Sequence, residues 1–197
     1  MFMKDFTRTA RSTLAAEMLC QPVTTGILAG TLVETARGWT PVETLRMGDL
    51  VHTLDGGAAK VLSLDRRVMR PEMGQAMISV PGGAFDACSD LNLLPGQHLL
   101  LDTLNDPAFP DDAFVLIPAL ALDGRAGCGR RYPLKTMEVI TPMFAEEEAV
   151  WAQSGVLLHC PGIAQGAGQR PVSDFFPRLD MVAARALLAR REVALAA

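Results

Sequence analysis

Apolar and polar positions follow a short, interrupted rhythm from residue 26 onward, with Gly, Pro and Asp breaking the apolar runs every few residues. Thr31-Leu32-Val33-Glu34-Thr35 alternates and is rich in β-branched residues, which predicts a strand, and Arg37-Gly38 turns the chain after it. Thr40 followed by Pro41 predicts one helical turn through Leu45, ended by Gly48-Asp49. Residues 50–54 predict a strand, and Asp55-Gly56-Gly57 is a hairpin turn whose glycines accept positive φ. Further strands are expected at 60–64, 76–80, 98–102, 114–117 and 136–140. Residues 148–152 and 156–160, joined through Gln153-Ser154-Gly155, predict a closing hairpin. Many short strands separated by turn signals predict an all-β fold, with no βαβ units or helical repeats.

The two ends read differently. Residues 1–25 form an expected N-terminal arm, with a short helix over 9–20 stopped by Pro22. A compact β domain is expected over 26–160, a glycine-rich linker over 161–177, and a C-terminal amphipathic helix over 178–197. In that helix Leu179, Val182, Ala183, Ala186, Leu187 and Leu188 fall near helical spacing among Arg178, Arg185, Arg190 and Arg191.

Composition narrows the function classes. The chain has 197 residues, 49% of them hydrophobic, enough for a core without covalent staples. A net charge of -4 argues against nucleic acid or an anionic membrane as the partner. No run approaches the roughly 18 apolar residues of a membrane span, and the charged N-terminus lacks the pattern of a secretory signal. The four cysteines (Cys20, Cys88, Cys128, Cys160) are therefore expected to be reduced thiols of a cytoplasmic protein. Neither they nor His52, His98 and His159 fall at metal-ligand spacing, so no metal is expected, and no cofactor motif is present. Asp111-Asp112 and Glu146-Glu147-Glu148 read as solvated loop charge, and Trp39 and Trp151 as core or rim aromatics.

Three stretches carry a family resemblance. Gly26-Ile27-Leu28-Ala29-Gly30-Thr31-Leu32-Val33-Glu34-Thr35, continued by Gly38-Trp39-Thr40-Pro41-Val42-Glu43-Thr44-Leu45 and Gly48-Asp49-Leu50-Val51-His52-Thr53, resembles the opening of the Hint domain shared by Hedgehog autoprocessing domains and inteins, and most resembles its bacterial branch. Leu94-Pro95-Gly96-Gln97-His98-Leu99-Leu100-Leu101 with Val115-Leu116-Ile117-Pro118-Ala119, and Ala152-Gln153-Ser154-Gly155-Val156-Leu157-Leu158-His159-Cys160, follow in the family's order. The resemblance implies a compact, horseshoe-type β fold over 26–160. It also implies a reaction in which a thiol or hydroxyl at the domain's first residue attacks the preceding carbonyl, helped by a histidine that protonates the departing amide nitrogen.

In this chain the first position is Gly26, and Thr25 precedes it. His98 matches the family histidine, with Pro95 where the family often has Thr or Ser, and a one-residue shift of that motif is open. His159-Cys160 resembles an intein end but lacks its asparagine, so splicing is not expected. Candidate catalytic residues are thus His98, His159 and Cys160. His159 and Cys160 are adjacent on a strand and point to opposite faces, so His159 is poorly placed to deprotonate Cys160. The expected function is a structural or interaction module that no longer cleaves itself, with a protein partner able to dock through the C-terminal helix. Two alternatives stand beside it: autoprocessing through Thr25 or Cys160, and a Cys-His hydrolase using Cys160 and His98.

Overall fold

The structure, a computed structural model, describes residues 23–55, 57–104, 106–164, 173 and 175–196, with side chains to residue 192. Residues 1–22 of the expected arm, Cys20 among them, Gly56 of the hairpin turn and much of the expected linker lie outside the described residues.

The strands are β1 (Ile27–Leu28), β2 (Leu32–Thr35), β3 (Gly38–Pro41), β4 (Leu50–His52), β5 (Ala58–Lys60), β6 (Ser63–Met69), β7 (Met77–Val80), β8 (Leu91–Leu93), β9 (His98–Asp102), β10 (Phe114–Pro118), β11 (Gly129–Arg131), β12 (Met137–Met143), β13 (Glu148–Ala152) and β14 (Val156–Cys160), followed by one helix, α1 (Met181–Ala196). They form two sheets. One runs β11-β7-β8-β1-β12-β6, and the other runs β10-β9-β14-β13-β2-β4-β5 with β3 beside β2. The fold is all-β with a C-terminal helix, as the spacing of the turn signals predicts.

Ile27, Ile78 and Ile140 of the first sheet meet Val33, Leu99 and Leu158 of the second in one apolar core. Val42 is fully buried in that core, in a 3-10 turn over Val42–Thr44. Pro41 does not open this turn as a helical residue. It is extended (φ -58°, ψ 131°) and pairs with Leu32 as the last residue of β3.

β9 and β14 lie side by side, with Leu157 opposite Leu100 and Leu158 opposite Leu99. Leu99, Leu101, Val156, Leu158 and Cys160 face the main core. Leu100 and Leu157 face the other way, into a second cluster with Leu116 and Ala149 that is covered by Phe114, Trp151 and Phe176. Burial on both faces explains why these strands read as nearly continuous apolar runs rather than as alternating ones. Truncating a side chain such as Leu158, with no exposure, carries a cost of about 2–5 kcal/mol.

Asp180 caps α1 by accepting the Ala183 N–H at 2.8 Å. The helix buries Ala184, Leu187 and Leu188, an i, i+3, i+4 stripe packed against β10 and the 3-10 turn Ala119–Leu122. Of the residues the sequence places on the apolar side, Leu187 and Leu188 are buried and Leu179 is partly so, whereas Ala186 is exposed and Val182 is 79% exposed. Arg190 pairs with Asp106 at 3.0 Å and Arg125 with Glu192 at 2.7 Å, pinning the helix to the loops beneath it.

Candidate functional site

The domain opens and closes at one place. Gly26 leads into β1, β9 begins at His98, and β14 ends at Cys160. Gln97, 3% exposed, joins all three segments. Its Oε1 accepts the Gly26 N–H at 3.0 Å. Its Nε2 donates to the His159 carbonyl at 2.8 Å and to the His98 carbonyl at 3.2 Å. One turn of chain earlier, the Gly96 N–H donates to the Thr24 carbonyl at 2.9 Å. Glycine is required at 96 because a Cβ there would stand 2.8 Å from that same oxygen.

Gly26 itself has φ +117°, and a Cβ added to it would stand 2.6 Å from Val139 Cγ1 and 2.8 Å from Thr141 Oγ1. Both the dihedral and the space exclude an L side chain in this conformation.

His98 does not face Gly26. Successive residues on a strand point to opposite sides, so with Gln97 turned to Gly26 the His98 imidazole projects to the side of Leu100. There its Nε2 accepts a hydrogen bond from Arg178 Nε at 2.8 Å. A ring nitrogen that accepts from a guanidinium carries no proton, which sets the neutral Nδ1–H tautomer. Nδ1 is buried with no hydrogen-bond partner among the described residues. Burial, with Arg178 and His159 adding, pushes the His98 pKa down to about 3 against a small opposing influence of the Gly96 backbone.

The β9–β14 register, continued by one residue, sets His159 opposite His98 on the same face. His159 Nε2 lies 2.6 Å from Glu147 Oε2, with both side chains almost fully buried. The other Glu147 oxygen accepts the Ser173 hydroxyl and the Phe175 N–H, each at 2.9 Å. Burial holds the His159 pKa below its usual value, and Glu147 opposes part of that shift.

Glu147 is thus not solvated loop charge as its sequence context suggests. It is 8% exposed, turned inward because His159, Ser173 and Phe175 supply the hydrogen bonds that a buried carboxylate requires. Its neighbour Glu148 is also half-buried, at the start of β13.

Cys160 lies on the opposite face from both histidines, among Val156 and Leu158 in the main core. It is 1% exposed, and burial, then Glu148, pushes its thiol pKa far up. The candidates therefore divide into three environments: Gly26 with Gln97, His98 with His159 near Ser173, Phe175 and Arg178, and Cys160 in the core. Sequence reasoning missed Gln97, Glu147, Ser173 and Arg178. The strand alternation around His98 carried a signal for Gln97, since only one of two adjacent residues can face Gly26.

Among the described residues no group of three or more His, Cys, Asp or Glu is arranged to hold a metal ion, and no helix is long and apolar enough to cross a membrane.

The family model described as the Hint domain matches residues 25–157. Similar solved structures include a glutathione-linked, splice-inactive variant of the AceL NrdHF class 3 split intein, at 12% identity over 70% of this chain and 97% of that one, with a TM-score of 0.48. A bacterial intein-like domain from Clostridium thermocellum is similar at 15% identity over 68% of this chain and 98% of that one, with a TM-score of 0.45. The MchDnaB-1 intein is similar at 15% identity over 67% and 98%, with a TM-score of 0.42. No curated protein matches the chain.

Proposed function

Because the chain belongs to the Hint domain family, we propose that it is a Hint domain that does not cleave itself and that serves as a structural or interaction module. The observation that carries this reading is the geometry at Gly26. The family reaction needs a nucleophilic side chain at the first residue, and here that residue has neither a side chain nor room for one.

The rest of the junction supports the same reading. The Thr25–Gly26 amide nitrogen, which the reaction must protonate, faces the Gln97 carboxamide oxygen, an acceptor with no proton to give. His98 is neutral and engaged with Arg178 on the far side of the strand. Cys160 is buried as a thiol away from both imidazoles, which leaves the Cys-His hydrolase alternative without a base beside its nucleophile. With a net charge of -4, the partner of such a module is a protein rather than nucleic acid or a membrane.

One observation favours a second reading, in which Thr25 attacks the Thr24 carbonyl. That oxygen already accepts the Gly96 N–H at 2.9 Å, as a developing oxyanion would need. Intact-mass measurement of the full-length chain, after long incubation with a strong thiol and again with hydroxylamine, separates the two. An unchanged mass is expected. A fragment starting at Thr25 and lost in Thr25→Ala would establish the second reading, and a fragment starting at Gly26 would overturn the first.

A further inference from the structure

Ser173 and residues 175–179 sit on the β domain, bent at Phe175-Phe176 and bonded along β10 from Pro177 to Leu179. Ser173 Oγ and the Phe175 N–H donate to Glu147, and the Phe176 N–H turns back onto Ser173 Oγ at 2.8 Å. Phe176 packs over Leu100, Leu116 and Leu157. The Pro177 carbonyl accepts the Leu116 N–H at 2.8 Å, and the Leu179 N–H donates to the Leu116 carbonyl at 2.9 Å, so the segment adds a parallel bridge to the open edge of β10. Arg178 then donates to His98.

This combination has the parts of a recognition groove. The edge of β10 supplies sequence-independent backbone bonds, and fixed pockets supply selectivity. Both polar pockets are acceptors, the Glu147 carboxylate and the neutral His98 Nε2, so they select an occupant rich in donors. Each is anchored by elements other than the segment it binds: His159 of β14 holds Glu147, and β9 carries His98. An apolar shelf lies between them for an aromatic side chain.

We propose that this surface is a peptide-binding groove, occupied here by the chain's own segment, and that its occupant in trans is a stretch of a partner protein bearing the same pattern: a hydroxyl residue, an aromatic three positions on, and an arginine two beyond that. The proposal rests on the reading of the domain as an interaction module and gives that module its binding site. Being part of the same chain, the segment competes intramolecularly, at an effective concentration of about the mM range, so the partner gains access when the segment is displaced or released.

The test replaces residues 165–172 of the full-length chain with a protease recognition sequence and cuts the folded protein there, leaving both pieces present. The probe is a fluorescent synthetic peptide of residues 173–197. Fluorescence anisotropy is expected to show one probe bound per cut domain and displaced by unlabelled peptide. The uncut chain is expected to bind at least tenfold more weakly. Probes carrying Arg178→Ala or Ser173→Ala are expected to lose at least tenfold in affinity. The proposal is overturned if the cut chain loses its fold by circular dichroism, if it stays folded and does not bind, or if the altered probes bind as well as the original. Intact mass on the same samples keeps the two readings apart: cleavage at Gly26 or Thr25 counts against the inactive-domain reading, and probe binding alone decides the groove.

Discussion

The Gly26 N–H donates to the Gln97 side chain across 71 positions of sequence, at the point where the family's reaction would begin. Gln97 closes this junction by bonding also to the carbonyls of His98 and His159. Gln97→Leu keeps the volume roughly constant and removes every one of these bonds. Leaving buried polar groups without partners costs about 1–3 kcal/mol each, less where solvent can reach them. We expect a loss of about 2–4 kcal/mol, read as a lower denaturant midpoint with an unchanged slope. An unchanged midpoint would mean that the junction is held by other means.

Restoring the family nucleophile is not expected to restore its reaction. Gly26→Cys forces a side chain against Val139 and Thr141 at a φ of +117°. The variant should lose about 3 kcal/mol or more, since steric overlap and a disfavoured dihedral add. In thiol buffer it should keep its full mass. Cleavage in a folded Gly26→Cys chain would show that the junction retains the remaining machinery and that Gln97 does not block protonation of the Gly26 nitrogen.

The histidine pair makes stability depend on pH in a definite direction. His98 titrates at about 3 in the folded chain against a usual value of 6.5, so between those values the unfolded chain binds more protons. Stability therefore rises with pH through this window and is lost as pH falls through 6.5 toward 3. His159, also lowered, acts with the same sign. His98→Gln retains an acceptor for Arg178 and removes one titrating group. The slope of unfolding free energy between pH 4 and 6 should then fall by up to about 1.4 kcal/mol per pH unit, one proton's worth. Denaturant melts across that range measure it, and an unchanged slope would mean that His98 is not the group taking up the proton.

The hairpin between β13 and β14 carries stored strain. Gln153 (φ 46°) and Ser154 (φ 61°) both occupy the left-handed region as the central residues of the β-turn from Ala152 to Gly155. That turn type favours Asn-Gly, because non-glycine residues there carry a steric cost. Gln153 bonds to Leu32 and Asp90, whereas Ser154 is exposed. Ser154→Gly should raise stability by roughly 0.5–1 kcal/mol, a shift of a few degrees in Tm.

The sequence made the sheet-forming segments legible where one face packs and turns are marked. The strands His98–Asp102, Glu148–Ala152 and Val156–Cys160 fall where the apolar runs and turn residues place them. The opening motif identified the family. Less was legible at the site. His98 was visible as a motif residue, but which way its ring points depends on whether Gln97 or His98 faces Gly26, and a one-residue choice of that kind flips both side chains. Glu147 sits in an acidic run that looks solvated, and its burial follows from His159 twelve positions later and Ser173 beyond that. Arg178 looks like the first cation of a helix, yet α1 starts at Met181 and Arg178 lies on the segment that crosses β10. Each of these depends on contacts distant in sequence, which local pattern does not encode.

The Gln97 bonds also bear on the order in which the chain folds. They tie Gly26 to a residue 71 positions away and His159 to one 62 positions away, while β13 and β14 can zip along five paired residues across a short turn. Closing such long loops costs entropy that only later contacts repay, so the junction forms after the local hairpins, together with the long-range pairings of the two sheets. Gln97 is thereby the seam that ties the opening of the domain to its close.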